Sequence, residues 1–491
     1  MSKRPNFYTL LGLPHSATPE DIRRSYHKAA KRLHPDTNVG PGETELFLDV
    51  QQAYQVLSDP ARRSAYDATL PAEEEVSTIV NQRILVSRKE LSHLKEAQLV
   101  YLLAEISPKK EPLETINSLP LNICLALDCS TSMKNEKLDT IKATAVQLIR
   151  KLKPQDIFSV VSFSDRAEVV IPAMRQGNTL KMENRVQFLQ ASGGTEIFQG
   201  LQASLEEVRR YRNPQYINHI ILLTDGRTYG DEQACYKLAK EAAEENIGIS
   251  GMGIGSGWND IFLDQLASLT GGHSMLVSQP SDIERLLTEK FANLTQTFAE
   301  NVTFEYQVGE GVEVSYAFRL QPETSPINLE SPLQLGPILQ DRPLSVLFEF
   351  NLKPQAKTIN AVNLIQGTLE ISAVSLQIPV YPIPIEVRLP VNEAASAETP
   401  PPAIIQALSK LTLCRMQERA RKEMAAGNYE DAAGHLQKLA TRLLAQGERN
   451  LAKTIILEIE HINKEKTFSE LGEKQIKYGT RALLLPEEQK I

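Results

Sequence analysis

Asp128-x-Ser130-x-Ser132 places a carboxylate and two hydroxyls at alternate positions directly after the apolar run Leu121–Leu127. Oxygens spaced this way in a turn suit a hard, oxygen-seeking cation such as Mg2+, with Mn2+ or Ca2+ as alternatives. Two other segments offer matching chemistry. Gly193-Gly194-Thr195 carries a hydroxyl on a glycine loop, and Thr224-Asp225-Gly226 closes a second apolar run with a carboxylate. A different spacing, His34-Pro35-Asp36, follows a helical stretch with a basic outer face. Arg23, His27 and Lys31 form one row four residues apart, and Arg24, Lys28 and Arg32 form the row beside it. Such a face suits an acidic protein surface, where exposed charge sets association rate and specificity more than affinity.

These segments need a frame to hold them. In residues 6–67, Thr18 is an N-cap with Pro19 at the first helical position, and Ile22, Tyr26, Ala29, Ala30 and Leu33 form one apolar stripe. Pro35 ends that helix; a second carries Phe47, Val50, Tyr54 and Leu57, and Asp59-Pro60 starts a short third ending near Tyr66. After an acidic connector at 68–78, strand composition appears at Ile84–Val86 and Leu99–Ile106. From Leu121 the pattern changes. Apolar strands at Leu121–Leu127, Ile157–Phe163, Ile217–Leu223 and Ile247–Gly253 alternate with helices, one carrying Leu138, Ile141, Ala145, Leu148 and Leu152, others near 197–211, 231–246 and 259–269. That alternation predicts a parallel sheet covered on both faces, with a ligand crevice beyond the carboxyl ends of its strands. From about Glu300 strand segments return at Val302–Val308, Val312–Leu320, Leu344–Leu352 and Thr368–Leu389. With the strands before Leu121 they suffice for a sandwich, into which the α/β unit is inserted, since the early strands would otherwise lack partners. An Ala/Glu/Pro linker at 392–402 leads to two or three amphipathic helices over 403–464, around Gly427-Asn428-Tyr429.

Residues 6–67 closely resemble the J-domain of the DnaJ family throughout. The resemblance rests on Tyr8-Thr9-Leu10-Leu11-Gly12, His34-Pro35-Asp36, and Phe47, Ala53-Tyr54, Leu57-Ser58-Asp59, Arg63 and Tyr66-Asp67. It implies that His34, Pro35 and Asp36 engage a DnaK-type chaperone and promote its ATP hydrolysis, with Arg23, Tyr26 and Lys28 as supporting contacts. The pattern departs from the family at His27 and Thr37, where basic residues are common, and the face is less positive for it. The glycine/phenylalanine linker and cysteine-rich repeats of the founding DnaJ proteins are absent, so client binding must come from elsewhere. Residues 119–295 resemble von Willebrand factor A (VWA) domains with a metal-ion-dependent adhesion site, and Gly255-Ser256-Gly257-Trp258-Asn259-Asp260 is typical of bacterial members. That likeness implies that Ser130, Ser132 and Thr195 bind the metal directly or through water, with Asp128 and Asp225 providing charge. It leaves a coordination position for an acidic residue of a protein partner. The expected organisation is a multidomain α+β chain. An all-α J-domain at 1–69 is followed by early strands at 70–118 and a doubly wound α/β VWA domain at 119–295, inserted in or flanked by a β-sandwich that resumes at 296–391. A linker at 392–402 precedes a helical region at 403–491.

Composition narrows the function. A chain of 491 residues with net charge -8 is expected to hold several domains and lacks the basic surface of a nucleic-acid binder. Its 4 cysteines are scattered without a CxxC pair, which fits a reducing cytoplasm and argues against a cysteine-ligated zinc site. No apolar run reaches the roughly 20 residues of a membrane span, and without an apolar h-region in the opening residues no signal peptide is expected. The Gly251-x-Gly253-x-Gly255-x-Gly257 run lacks the GxGxxG spacing of a dinucleotide loop, and neither a P-loop, an HExxH pair nor a GxSxG elbow occurs. His219, inside an apolar strand, and Cys129, at a non-ligand position of the motif, read as packing residues. The resulting expectation is a cytoplasmic adaptor co-chaperone, not an enzyme; the alternative is a VWA subunit working with an AAA+ ATPase in a chelatase-like or assembly machine.

Overall fold

The computed structural model describes residues 7–11, 17–32, 43–67, 79–92, 96–109, 119–175, 177–228, 230–354, 360–373, 378–392 and 399–484. The N-terminal unit consists of α1 (Phe7–Leu11), α2 (Pro19–Arg32), α3 (Glu43–Leu57) and α4 (Pro60–Asp67). Tyr8, Leu11, Ile22, Val50, Ala53 and Leu57 form its core. Arg63 closes it: Nε donates to the Tyr8 hydroxyl at 2.8 Å and Nη2 to the Ala17 carbonyl at 2.9 Å, while the Tyr8 hydroxyl donates to Asp67 at 2.7 Å. Several residues that carry the family resemblance therefore hold the helices together.

Three strands follow: β1 (Val80–Val86), β2 (Leu91–Ser92) and β3 (Gln98–Pro108). The α/β unit then runs β4 (Leu121–Asp128), α5 (Glu136–Lys151), β5 (Ile157–Phe163), β6 (Ala167–Arg175), α6 (Thr179–Gln187), α7 (Ile197–Arg209), β7 (Ile217–Thr224), α8 (Glu232–Glu244), β8 (Gly248–Ile254), α9 (Asp260–Ser268), β9 (Ser274–Val277) and α10 (Pro280–Thr295). Its sheet has the order β6-β5-β4-β7-β8-β9, parallel except for the edge strand β6. Every residue of β4, β5 and β7 is buried, as expected of strands covered by helices on both faces. The connection turns one way from β4 to β5 and the other way to β7, so a crevice opens between the carboxyl ends of β4 and β7.

The chain returns to β structure with β10 (Thr297–Gln307), β11 (Val312–Gln321), β12 (Ser325–Pro326), β13 (Leu333–Leu339), β14 (Leu344–Leu352), β15 (Ala361–Ala373) and β16 (Ile378–Asn392). One sheet has the order β1-β3-β14-β11-β12 and the other β13-β10-β15-β16-β2. Strands from both sides of the α/β unit thus share one sandwich core, in which Val80, Leu91 and Val100 pack with Phe298, Val346 and Leu369. The α/β unit is an insertion in it. The single stretch expected at Thr368–Leu389 is instead a hairpin, β15 antiparallel to β16 with Thr368 opposite Pro384. No glycine or asparagine marks its turn, which is why sequence pattern alone runs the two strands together. Pro382, Pro384 and Pro390 are tolerated because β16 has β15 on one side and only the two-residue β2 on the other.

Four further helices close the described chain: α11 (Pro402–Ala425), α12 (Tyr429–Ala445), α13 (Arg449–Glu465) and α14 (Glu470–Ala482). Three occupy the span where two or three were expected, and α14 lies beyond it. Among the described residues no helix is long and apolar enough to cross a membrane.

Candidate metal-binding site

The ends of β4 and β7 carry the two carboxylates. Asp128 is fully buried, and its Oδ1 accepts the Ser130 backbone N–H at 2.8 Å while Oδ2 accepts the Thr224 hydroxyl at 2.6 Å. Burial raises its carboxyl above the ordinary carboxylate range, against the lowering effect of those hydrogen bonds. The turn after Asp128 brings the Ser130 and Ser132 hydroxyls within 3.0 Å of each other. Ser132 donates on to Asp225 Oδ1 at 2.6 Å. Thr195 arrives from a third loop; a β-carbon on Gly226 would stand 2.6 Å from its hydroxyl, so the turn after Asp225 must be glycine for the two loops to meet. That loop is pinned by Ser192 N–H to the Cys129 carbonyl at 2.8 Å, Thr131 N–H to the Gly193 carbonyl at 3.0 Å, and Gly194 N–H to Asp165 Oδ1 at 2.7 Å. The structure therefore brings Asp128, Ser130, Ser132, Thr195 and Asp225 into one crevice from three separate segments.

Two contributors, Asp165 and Lys137, carry no motif in the sequence, whereas Thr224 belongs to the Thr224-Asp225-Gly226 segment. Thr224 and Asp165 hold Asp128 and the Thr195 loop, as described. Lys137, from the first turn of α5, reaches Asp225 Oδ2 at 2.5 Å and the Ser132 carbonyl at 3.3 Å. Its spacing of five residues after Ser132 is the only signal that could have found it. Of the two carboxylates, Asp225 alone is tied to an ammonium. The donors are all hard oxygens, without imidazole or thiolate, and that chemistry fits Mg2+, Mn2+ or Ca2+. Among the described residues no group of three or more His, Cys, Asp or Glu side chains offers a competing metal site. Cys129 packs in the α/β core, its thiol pushed up to about 12 by burial and by Asp128 beside it. His219 is also a core residue, at 3.0 Å from Ser250 Oγ and with its pKa depressed by burial.

At the N-terminal unit, His34, Pro35 and Asp36 lie outside the described residues. Arg23 is exposed on α2, and Lys28 lies on α2 as well. Tyr26 is half-buried and stacks on Tyr54 with ring centroids 4.0 Å apart, so it supports the α2–α3 packing.

Comparison with known families assigns the parts. Residues 6–67 match the DnaJ domain and residues 122–289 the von Willebrand factor type A domain. The chain carries a J-domain and a VWA domain. Behind the VWA domain, residues 402–486 match the Sll0103-like, C-terminal alpha-helical domain. The J-domain is 49% identical over 67 residues to the chaperone protein DnaJ of Methanosarcina thermophila, covering 14% of this chain and 17% of that protein. An uncharacterised Synechocystis protein, sll0103, is 25% identical over 334 residues, 66% of this chain and 78% of its own length. In fold, the chain is similar to a von Willebrand factor type A structure from Catenulispora acidiphila (TM-score 0.65, 15% identity, 83% of this chain and 98% of that one). It is also similar to the ArnB paralog VWA2 from Sulfolobus acidocaldarius (TM-score 0.53, 18% identity, 84% and 100%). Both likenesses extend well past the VWA domain itself.

Proposed function

We propose that this chain is an adaptor co-chaperone. Its J-domain recruits a DnaK-type chaperone and promotes ATP hydrolysis through His34, Pro35 and Asp36, with Arg23, Tyr26 and Lys28 in support. Its VWA crevice grips a protein partner through a Mg2+-bridged acidic residue. The observation that carries the second half is the convergence of two carboxylates and the Ser130, Ser132 and Thr195 hydroxyls at the switch point of the sheet. Ser130, Ser132 and Thr195 would hold the cation, and Asp128 and Asp225 would balance its charge. A bound cation supplies a Lewis-acidic position for a carboxylate; the role is binding, not turnover. The close likeness of the J-domain to a DnaJ favours a chaperone over an AAA+ ATPase as the coupled machine.

The test is affinity purification of the full chain with Mg2+ and with EDTA, alongside ATPase assays with a DnaK. His34→Gln should abolish ATPase stimulation and leave the partner bound. EDTA or Asp128→Ala should release the partner and leave stimulation intact. Stimulation surviving His34→Gln, or a partner retained through both metal treatments, would each sink its half of the reading.

A further inference from the structure

The segment Gly255–Asn259 lies between the crevice and the C-terminal helices. On the crevice side, a β-carbon on Gly257 would stand 2.7 Å from the Asp225 carbonyl oxygen, and Arg227 Nε donates to the Gly257 carbonyl at 3.2 Å. The backbone of the metal-site turn and this loop are therefore in direct contact. On the other side stands α14. Lys474 Nζ donates to the Ser256 carbonyl at 2.5 Å, and the Ser256 hydroxyl donates to Glu470 at 3.1 Å. Trp258 is fully buried, its indole N–H closed on the Gly255 carbonyl at 2.9 Å; Lys474 lies 5.4 Å over its ring and Tyr478 packs 5.8 Å away.

The docking is built from paired charges. Arg421 of α11 grips Asp260 with two hydrogen bonds of 2.9 and 3.1 Å, and Arg481 grips Asp264 with two of 2.8 and 2.7 Å. Lys477 bridges both aspartates, and Tyr478 reaches Ser274 at 2.9 Å. Lys477, Arg481, Asp260 and Asp264 are all nearly removed from solvent, where paired forks are strong and the loss of one partner is costly. Asp260 is also the first residue of α9, directly after the loop, with Asn259 capping the helix by accepting from Ile261 and Phe262 N–H at 3.1 Å. Both ends of the loop are thereby anchored to the C-terminal domain.

We propose that the C-terminal helical domain braces the metal crevice. Docked α14 holds the Gly255–Asn259 loop, and through Gly257 the Asp225 turn, in the form that binds the cation, so docking and cation binding strengthen one another. Lys474 is the positioning residue of this brace; it touches the loop and not the crevice. The inference rests on reading the Asp128–Asp225 crevice as a cation site. Linkage then requires the effect to run both ways, with Mg2+ tightening the docking by the same factor that docking tightens Mg2+.

The test uses the full chain and two kinds of variant. Lys474→Met removes the bond to Ser256 while keeping an apolar cover on Trp258, and Lys474→Arg restores the donor; Arg421→Gln with Arg481→Gln loosens the docking from a distance. Hydrogen exchange without metal is measured first. The Gly226 and Arg227 amides should exchange about tenfold faster in Lys474→Met and in the double variant, and at the wild-type rate in Lys474→Arg, with β5 unchanged in all. Mg2+ affinity, by calorimetry, should fall about tenfold in the same variants and recover with Lys474→Arg. Unchanged exchange at 226–227 in a variant whose α14 has lost protection overturns the brace. Wild-type chain that binds no Mg2+ overturns the cation reading instead, and the exchange measurement still decides whether α14 holds the turn.

Discussion

Carboxylates are buried at both ends of the VWA sheet, one contributed by the sandwich and two by the domain itself, and the two ends treat them differently. At the seam with the sandwich, Glu323 accepts Lys290 Nζ at 3.1 and 3.0 Å and stands 2.6 Å from His273 Nδ1. Arg319 completes that joint by donating to the carbonyls of Gly271 (2.6 Å), Gly272 (2.7 Å), Leu335 (3.0 Å) and Glu323 itself (2.7 Å). One carboxylate is surrounded by cations and every strong donor has an acceptor. In the crevice, Asp225 takes one lysine and the Ser132 hydroxyl, and Asp128 is bonded by the Thr224 hydroxyl and the Ser130 backbone N–H. Burial of charge therefore does not mark function by itself. The balance does: Glu323 meets its full set of donors, whereas the crevice keeps oxygen donors to spare.

The strongest way to break this contrast is to neutralise one carboxylate at each end. Glu323→Gln leaves Lys290 and Arg319 without their counter-charge and should cost about 3–5 kcal/mol, read as a lowered urea midpoint of the VWA–sandwich transition. Asp128→Asn, measured without metal, should cost under about 1 kcal/mol, because its carboxyl is already raised by burial and the amide keeps an acceptor. Equal losses would erase the distinction. The same pair predicts the pH dependence. Burial would raise the Glu323 carboxyl, but His273, Lys290 and Arg319 hold it well below its ordinary value of 4.5. A depressed folded-state pKa contributes stability above the unfolded value and loses it as pH falls through the folded one. Wild-type stability should thus fall more steeply below about pH 4.5 than that of Glu323→Gln, whose curve should lack this component.

A smaller effect sharpens the crevice side. Lys137 occupies part of the charge position a cation would take, so Lys137→Met should tighten Mg2+ binding about tenfold, or about 1.4 kcal/mol, in a calorimetric titration. Weaker binding would make Lys137 a support of the site and not a competitor. The smallest expected effect is none at all. Cys129 lies beside Asp128 with its thiol pushed up to about 12 by burial, so native protein should resist a thiol reagent at pH 8 with or without Mg2+. Labelling faster than global unfolding would show that the crevice opens to solvent and is less closed than the seam.

Much of the frame was legible. The buried runs that became β4, β5 and β7 follow from continuous apolarity, and the insertion of the VWA domain follows from early strands that needed partners. The misses have physical causes. The β15–β16 hairpin lacks turn residues. Helix α14 carries Lys474, Lys477 and Arg481 where an apolar stripe would be sought, and each is buried only because Ser256, Asp260 and Asp264 meet it more than 200 residues away in sequence.

Apolar periodicity by itself determined the α/β alternation, and the resemblance to the J-domain and VWA families pointed to the N-terminal unit and to the five residues that could hold a cation. Those features are local, written in periodicity, capping residues and tripeptides. Only the tertiary structure decided which buried charges are balanced, that Lys137 faces Asp225, and that the C-terminal helices lean on the loop behind the crevice. Charge balance depends on what stands across a gap of a few ångströms, and neighbours in space here stand 88 residues apart (Lys137 and Asp225) or 218 (Ser256 and Lys474).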